Sequence, residues 1–184
     1  MSKELETAVA EICGKCGNDR TRMMDIVRAV QAKFGCVSDE AMTLIAKAVG
    51  AEYVDVESVV SFYAFLSVEK KGDIVIRLCD DIVDQMYGVE EVGEAFKREL
   101  GIDFGETTAD GKFTLEWTPC IGLSDQAPAA LINDVPFTYL NAENARKLVQ
   151  SLRQEPDVRK LVRRLGDGNN AHPMVQSMVH NNIR

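Results

Sequence analysis

The residues with the most chemistry in this chain of 184 are its five cysteines, Cys13, Cys16, Cys36, Cys79 and Cys120. An odd count does not suit a disulfide framework, so the remaining roles are metal ligand, redox thiol or small buried apolar residue. Cys13-Gly-Lys-Cys16 has the spacing of half a zinc knuckle or of a dithiol redox pair. A zinc ion needs two further ligands; Cys36 alone is near in sequence, and His172 and His180 lie far along the chain. A redox C-x-x-C belongs at the start of a helix following a strand, whereas this pair falls within or at the end of a helical pattern. Cys13 and Cys16 are therefore read as structural. For Cys79 and Cys120 three roles stay open: ligands, inert residues at strand ends, or a reversible disulfide if their loops approach. Gly88 and Gly93 make no phosphate loop, and no Gly-x-Gly-x-x-Gly follows a strand, so no nucleotide site of the chain's own is expected. Phe62, Tyr63 and Phe65 read as a helical core stripe, Trp117 as core or interface, and the two histidines as surface.

The elements that must position these residues change character near residue 70. Up to there the pattern is helical. Asp19 is placed to cap a helix through Met23, Ile26, Val27, Val30 and Phe34, which stops at Gly35. Ser38 fits the N-cap of a second helix ending at Gly50, and Asp55 that of a third running into Phe62-Tyr63-Ala64-Phe65. The first dozen residues add a short helix. From Asp73 the reading is mixed: a strand to Cys79, an amphipathic helix from Val83 to Leu100, and a turn at Ala109-Asp110-Gly111. A strand over 112–118 follows, then a hairpin over 128–139 turning at Asn133-Asp134, and a helix capped by Asn141. The order β-α-β-β-α predicts an α+β chain: an N-terminal helical bundle over 1–70, then a thioredoxin-like domain with a small mixed sheet over 71–154. Residues 155–184, with one more helix over 156–165, read as a helical arm that buries little on its own chain and lies on a partner.

The formal charge of −8, from 29 acidic and 21 basic residues, excludes a basic nucleic-acid footprint. No apolar run approaches the roughly 20 residues of a membrane-spanning helix. The charged N-terminal stretch lacks a signal-peptide core, so a cytoplasmic location is expected.

Three segments carry more than pattern. They are 34–38 (FGCVS) leading to 60–65 (VSFYAF), then 105–115 (GETTADGKFTL), then 120–128 (CIGLSDQAP). Together they resemble the thioredoxin-like [2Fe-2S] ferredoxin subunit of the complex I diaphorase module, whose relatives occur in NAD-dependent formate dehydrogenases and electron-bifurcating hydrogenases. The likeness runs over roughly residues 20–152. It implies a soluble subunit of an NADH-linked oxidoreductase complex, with FMN and NAD on a flavoprotein partner and further iron–sulfur subunits beside it.

In that family the cluster is held by C-x4-C after the first strand and C-x3-C before the third, two thiolates to each iron. On this pattern Cys79 and Cys120 fit the first and third ligand positions, while Asp84 and Ser124 occupy the second and fourth. The resemblance thus implies a [2Fe-2S] site with half its thiolates replaced by harder oxygen donors, weakened or lost. A chain without the cluster would be a structural assembly subunit. A thiol-redox protein is the remaining alternative, set back by the absence of a second cysteine in Cys79-Asp80-Asp81-Ile82.

Overall fold

The computed structural model describes residues 3–133 and 135–165, the last four by backbone alone. Asp134 of the expected turn, both histidines and the tail from residue 166 lie outside the described residues. The chain divides into two compact units between Lys71 and Gly72.

The first unit is four helices: α1 (Lys3–Lys15), α2 (Met23–Phe34), α3 (Asp39–Val49) and α4 (Tyr53–Phe62). Asp19 caps a single 3-10 turn, Arg20–Arg22, that feeds α2. Ser38 caps α3, its hydroxyl accepting from the Ala41 N–H at 3.3 Å. The third cap differs from expectation. Glu52 is the N-cap of α4, and Asp55 lies one turn in, where its carboxylate accepts from the Glu52 N–H at 3.1 Å in a reciprocal capping box. The core joins Val9 and Cys13 of α1 to Ile26, Val27 and Val30 of α2, and to Met42 and Ile45 of α3. Phe62, Tyr63 and Phe65 are not core. Helix α4 buries Val56 and Val60, four residues apart, and this directs Phe62 outward at 79% exposure. Beyond it the chain leaves the helix, and Phe62 and Tyr63 meet edge to face at 5.0 Å on the surface.

The second unit is built on a four-stranded sheet, in the order β2-β1-β3-β4. Strand β1 (Ile74–Cys79) pairs in parallel with β2 (Phe113–Thr118) and antiparallel with β3 (Ala130–Ile132), which in turn pairs antiparallel with β4 (Val135–Phe137). Strand β1 is flanked on both sides and is apolar except for Arg77. The expected helix over 83–100 is two helices, α5 (Ile82–Met86) and α6 (Val89–Leu100). They break at Gly88, whose φ of +82° no other residue type adopts cheaply. The break lets α6 turn Val92, Ala95, Phe96 and Leu100 onto the sheet. Helix α7 (Ala142–Gln154), capped by Asn141, packs beside it through Ala145, Leu148, Val149 and Leu152. Each such fully buried large side chain stabilises the fold by about 1.5–3 kcal/mol relative to leaving it exposed.

Helix α8 (Val158–Leu165) changes the reading of the tail. Val158 and Leu161, one turn apart, are 5% and 2% exposed and belong to the core of this same unit. The start of the segment expected to bury little on its own chain therefore closes its own domain. Trp117 is 41% exposed, stacked on Phe104 with ring centroids 3.7 Å apart. Gly93 of α6 makes room for the pair: a Cβ there would stand 3.2 Å from the indole and 3.3 Å from the phenyl ring.

Candidate metal and cofactor site

Parallel pairing of β1 with β2 sets Cys79 beside Thr118, so the loops that leave both strands depart from the same end of the sheet. The Asp80 N–H donates to the Thr118 carbonyl at 2.9 Å and extends the ladder one step into the loops. Cys79 is the last residue of β1 and is buried; Cys120 is exposed on the loop after β2. The sheet thus carries two sulfurs that are 41 positions apart in sequence (120 − 79) into one site. Asp81 joins them: the donor atoms of Cys79, Asp81 and Cys120 lie within 4.8 Å of one another.

Asp81 is held by the helix it caps. Its Oδ1 accepts from the Val83 and Asp84 N–H groups at 2.7 and 3.0 Å, and its Oδ2 accepts from the Ser124 hydroxyl at 3.1 Å. Ser124 in turn lies 3.2 Å from Cys120 Sγ. The Cys120 thiol, these backbone donors and the Ser124 hydroxyl hold the Asp81 carboxyl well below the usual carboxylate range. It is anionic at any physiological pH.

Asp84 has the opposite surroundings. It is 1% exposed, and its Oδ1 accepts from the buried Ala129 N–H at 2.9 Å. Burial pushes its pKa up, against the pull of the Cys79 thiol and that N–H. Cys79 is pushed up to about 12, chiefly by burial and then by its hydrogen bond to Asp84; its Sγ also lies 3.7 Å from the Pro119 carbonyl. The two carboxylates are driven apart by their environments: Asp81 is charged at the site, and Asp84 is an internal hydrogen-bond acceptor tying the start of α5 to the segment before β3.

All four residues expected at the site are therefore brought together, Asp84 against Cys79 and Ser124 against Cys120. Asp81 was missed. Its sequence signal was that of a helix N-cap, which accounts for one carboxylate oxygen and leaves the other free to face the thiols. Cys13, 0% exposed, is a core residue of the helical unit.

Against known proteins, residues 9–153 match the family described as thioredoxin-like [2Fe-2S] ferredoxin. The chain belongs to that family. It is 33% identical over 180 residues to the NAD-reducing hydrogenase HoxS subunit alpha of Cupriavidus necator, covering 98% of this chain and 30% of that protein. It is 35% identical over 132 residues to the E subunit of the NADH-quinone oxidoreductase of Pseudomonas aeruginosa, covering 72% of this chain and 80% of that protein. In three dimensions it resembles the crystal structure of an NAD+-reducing [NiFe]-hydrogenase in the H2-reduced state, with a TM-score of 0.61 and 29% identity over 70% of this chain and 22% of that one. The chain thus spans under a third of the hydrogenase relative but matches four fifths of the NADH-quinone oxidoreductase relative.

A [2Fe-2S] cluster takes four donors, two on each iron. The family positions here supply two thiols, a hydroxyl, and a carboxyl whose Oδ1 is already engaged by a buried N–H. Two of the four positions thus carry oxygen donors in place of the thiolates that suit the cofactor for which the family is named. Among the described residues, no helix is long and apolar enough to cross a membrane.

Proposed function

We propose that the chain is a small docking subunit of a cytoplasmic NADH-linked flavin oxidoreductase complex, that it packs against the FMN- and NAD(H)-binding subunit, and that it no longer carries the family's cluster. The likeness to the NADH-quinone oxidoreductase relative, over most of that protein's length, supports the place in an NADH-linked complex. A docking role is supported by α5 and the residue that ends it, which leave Ile82, Met86 and Tyr87 at 74%, 79% and 67% exposure beside the site loop. Apolar side chains grouped in this way mark interaction surfaces. Hydride and electron chemistry then belong to the flavin partner, and this chain supports it.

The observation that carries the loss of the cluster is the hydrogen bond from the Ala129 N–H to Asp84. The residue at the second ligand position is a buried carboxyl, 1% exposed, with one oxygen committed to a backbone N–H, where the family pattern has a thiolate.

The test is iron and acid-labile sulfide on the complex co-expressed with its flavin subunit and purified anaerobically, with an EPR spectrum after reduction. NADH oxidation with no iron attributable to this chain is expected. Two irons and two sulfides on this chain, with a rhombic EPR signal, would overturn the reading. The Asp84→Cys/Ser124→Cys variant restores four thiols at the family positions and is expected to regain the cluster on reconstitution. A dithiol redox role is less well supported, since Cys79 is buried and its thiol is held protonated by burial.

A further inference from the structure

We infer that Cys79, Asp81 and Cys120 form a mononuclear site for a thiophilic divalent cation of the Zn2+ type, in place of a two-iron cluster. The inference concerns this chain alone and does not depend on the docking partner.

Three features carry it. First, the donors converge on a point. Sγ of Cys79, a carboxylate oxygen of Asp81 and Sγ of Cys120 lie within 4.8 Å of one another. Tetrahedral coordination with metal–sulfur bonds near 2.3 Å and metal–oxygen bonds near 2.1 Å sets neighbouring donors roughly 3.5–3.8 Å apart. Closing on one ion needs a contraction of at most about 1.0–1.3 Å; accommodating two irons and two sulfides would require the loops to part.

Second, the donors are chemically matched and already oriented. Two sulfurs and one carboxylate suit zinc-like ions and bring three negative charges to a dication once the thiols ionise. Oδ1 of Asp81 is fixed by two backbone donors, which presents Oδ2 to the thiols. Ser124 is hydrogen-bonded to both Asp81 Oδ2 and Cys120 Sγ and so sets two of the three donors relative to each other.

Third, the Cys120 sulfur has supporting donors around it. The Gly122 N–H points at Cys120 Sγ at 3.4 Å, and the Ser124 hydroxyl lies 3.2 Å from the same sulfur. Outer donors of this kind orient ligands and share the charge of bound thiolates.

Binding is a ligand exchange without redox change. The cation loses water, the two S–H bonds give up their protons to solvent, and two metal–sulfur bonds and one metal–oxygen bond form.

The experiment is titration of the metal-free full chain with Co2+ alone, read by absorbance, followed by Zn2+ displacement. One equivalent of Co2+ is expected, with sulfur-to-cobalt charge transfer in the near ultraviolet, visible ligand-field bands of a tetrahedral ion, and loss of both on adding one equivalent of Zn2+. Asp81→Asn keeps the helix cap, because Asn caps as well as Asp. It is expected to weaken Co2+ binding by tenfold or more and to shift the visible bands, with an unchanged circular dichroism spectrum. Cys120→Ala, at an exposed position, is expected to abolish the charge-transfer band. Three results would overturn the inference. One is no charge-transfer band at any Co2+ excess. Another is a band undiminished in both variants, which would place the ion on other thiols such as Cys13 and Cys16. The third is incorporation of two irons and two sulfides, in preference to one ion, when the wild-type chain is reconstituted with iron and sulfide.

Discussion

Replacing Asp84 tests its role as an internal acceptor. In the wild-type protein its Oδ1 takes the Ala129 N–H at 2.9 Å, and the residue is 1% exposed. Asp84→Ala removes the acceptor and leaves that N–H buried without a partner, a loss of about 1–3 kcal/mol. With a urea m-value of about 2 kcal/mol/M for a unit of this size, the unfolding midpoint falls by about 0.5–1.5 M. The chain has one tryptophan, Trp117, and it lies in the same unit stacked on Phe104, so its fluorescence reports the unfolding of this unit. Asp84→Asn keeps an oxygen for the Ala129 N–H but cannot ionise, and the two variants together separate hydrogen bond from charge. The folded pKa of Asp84 is raised above 3.8. Between these two values the native state holds more protons than the unfolded state, so this residue's contribution is full below pH 3.8 and is lost as pH rises through the folded pKa. The slope is at most about 1.4 kcal/mol per pH unit. Asp81 has the opposite sign and acts only below pH 3.8, outside that window. Unfolding curves of metal-free wild type and both variants from pH 4 to pH 8 are therefore expected to show Asp84→Asn gaining on wild type as pH rises, with Asp84→Ala below Asp84→Asn throughout. An Asp84→Ala midpoint within 0.2 M of wild type, or a wild-type to Asp84→Asn difference that does not change with pH, would refute the reasoning.

Leu161→Ala, in the helix at the start of the tail, removes a side chain 2% exposed in the sheet core, and it is expected to destabilise that unit by about 2–5 kcal/mol by the same fluorescence assay. In metal-free protein, brief alkylation at neutral pH read by peptide mass spectrometry is expected to label exposed Cys120 and to spare Cys79 and Cys13 until denaturant is added. Labelling of Cys79 at the rate of Cys120 would contradict its burial.

The fold was legible wherever local chemistry and tertiary packing agreed. Ser38, Gly35, Gly50 and Asn141 mark helix ends in the sequence and in the structure alike. Misreadings arose where one residue has two uses. Glu52 and Asp55 cap the same helix end reciprocally, and the sequence pattern favours Asp, the commoner cap, at the wrong end of the pair. Gly88 within an amphipathic run costs a helix only about 1 kcal/mol against Ala, so nothing local reveals that the chain breaks there to aim α6 at the sheet. The surface aromatics 62–65 were misplaced because the buried face of α4 is narrow, and hydrophobicity alone does not say which side of a helix has a neighbour. At the site, the positions of Cys79, Asp84, Cys120 and Ser124 came from a family resemblance. That Asp84 turns inward and Asp81 outward depends on β3, some 45 residues further on, and no local spacing contains it.

The register that sets Cys79 against Thr118 also has a consequence by mass action. In an unfolded chain the two sulfurs are separated by a long loop, and no short segment offers both. A cation that needs the two together binds only the folded sheet, so its free concentration adds to native stability as RT ln(1 + [L]/Kd). Scarcity of the ion and loosening of the domain are then one equilibrium seen from two sides. The amount of intact protein on hand to join a complex would follow metal supply, with no sensor other than the pairing of two strands.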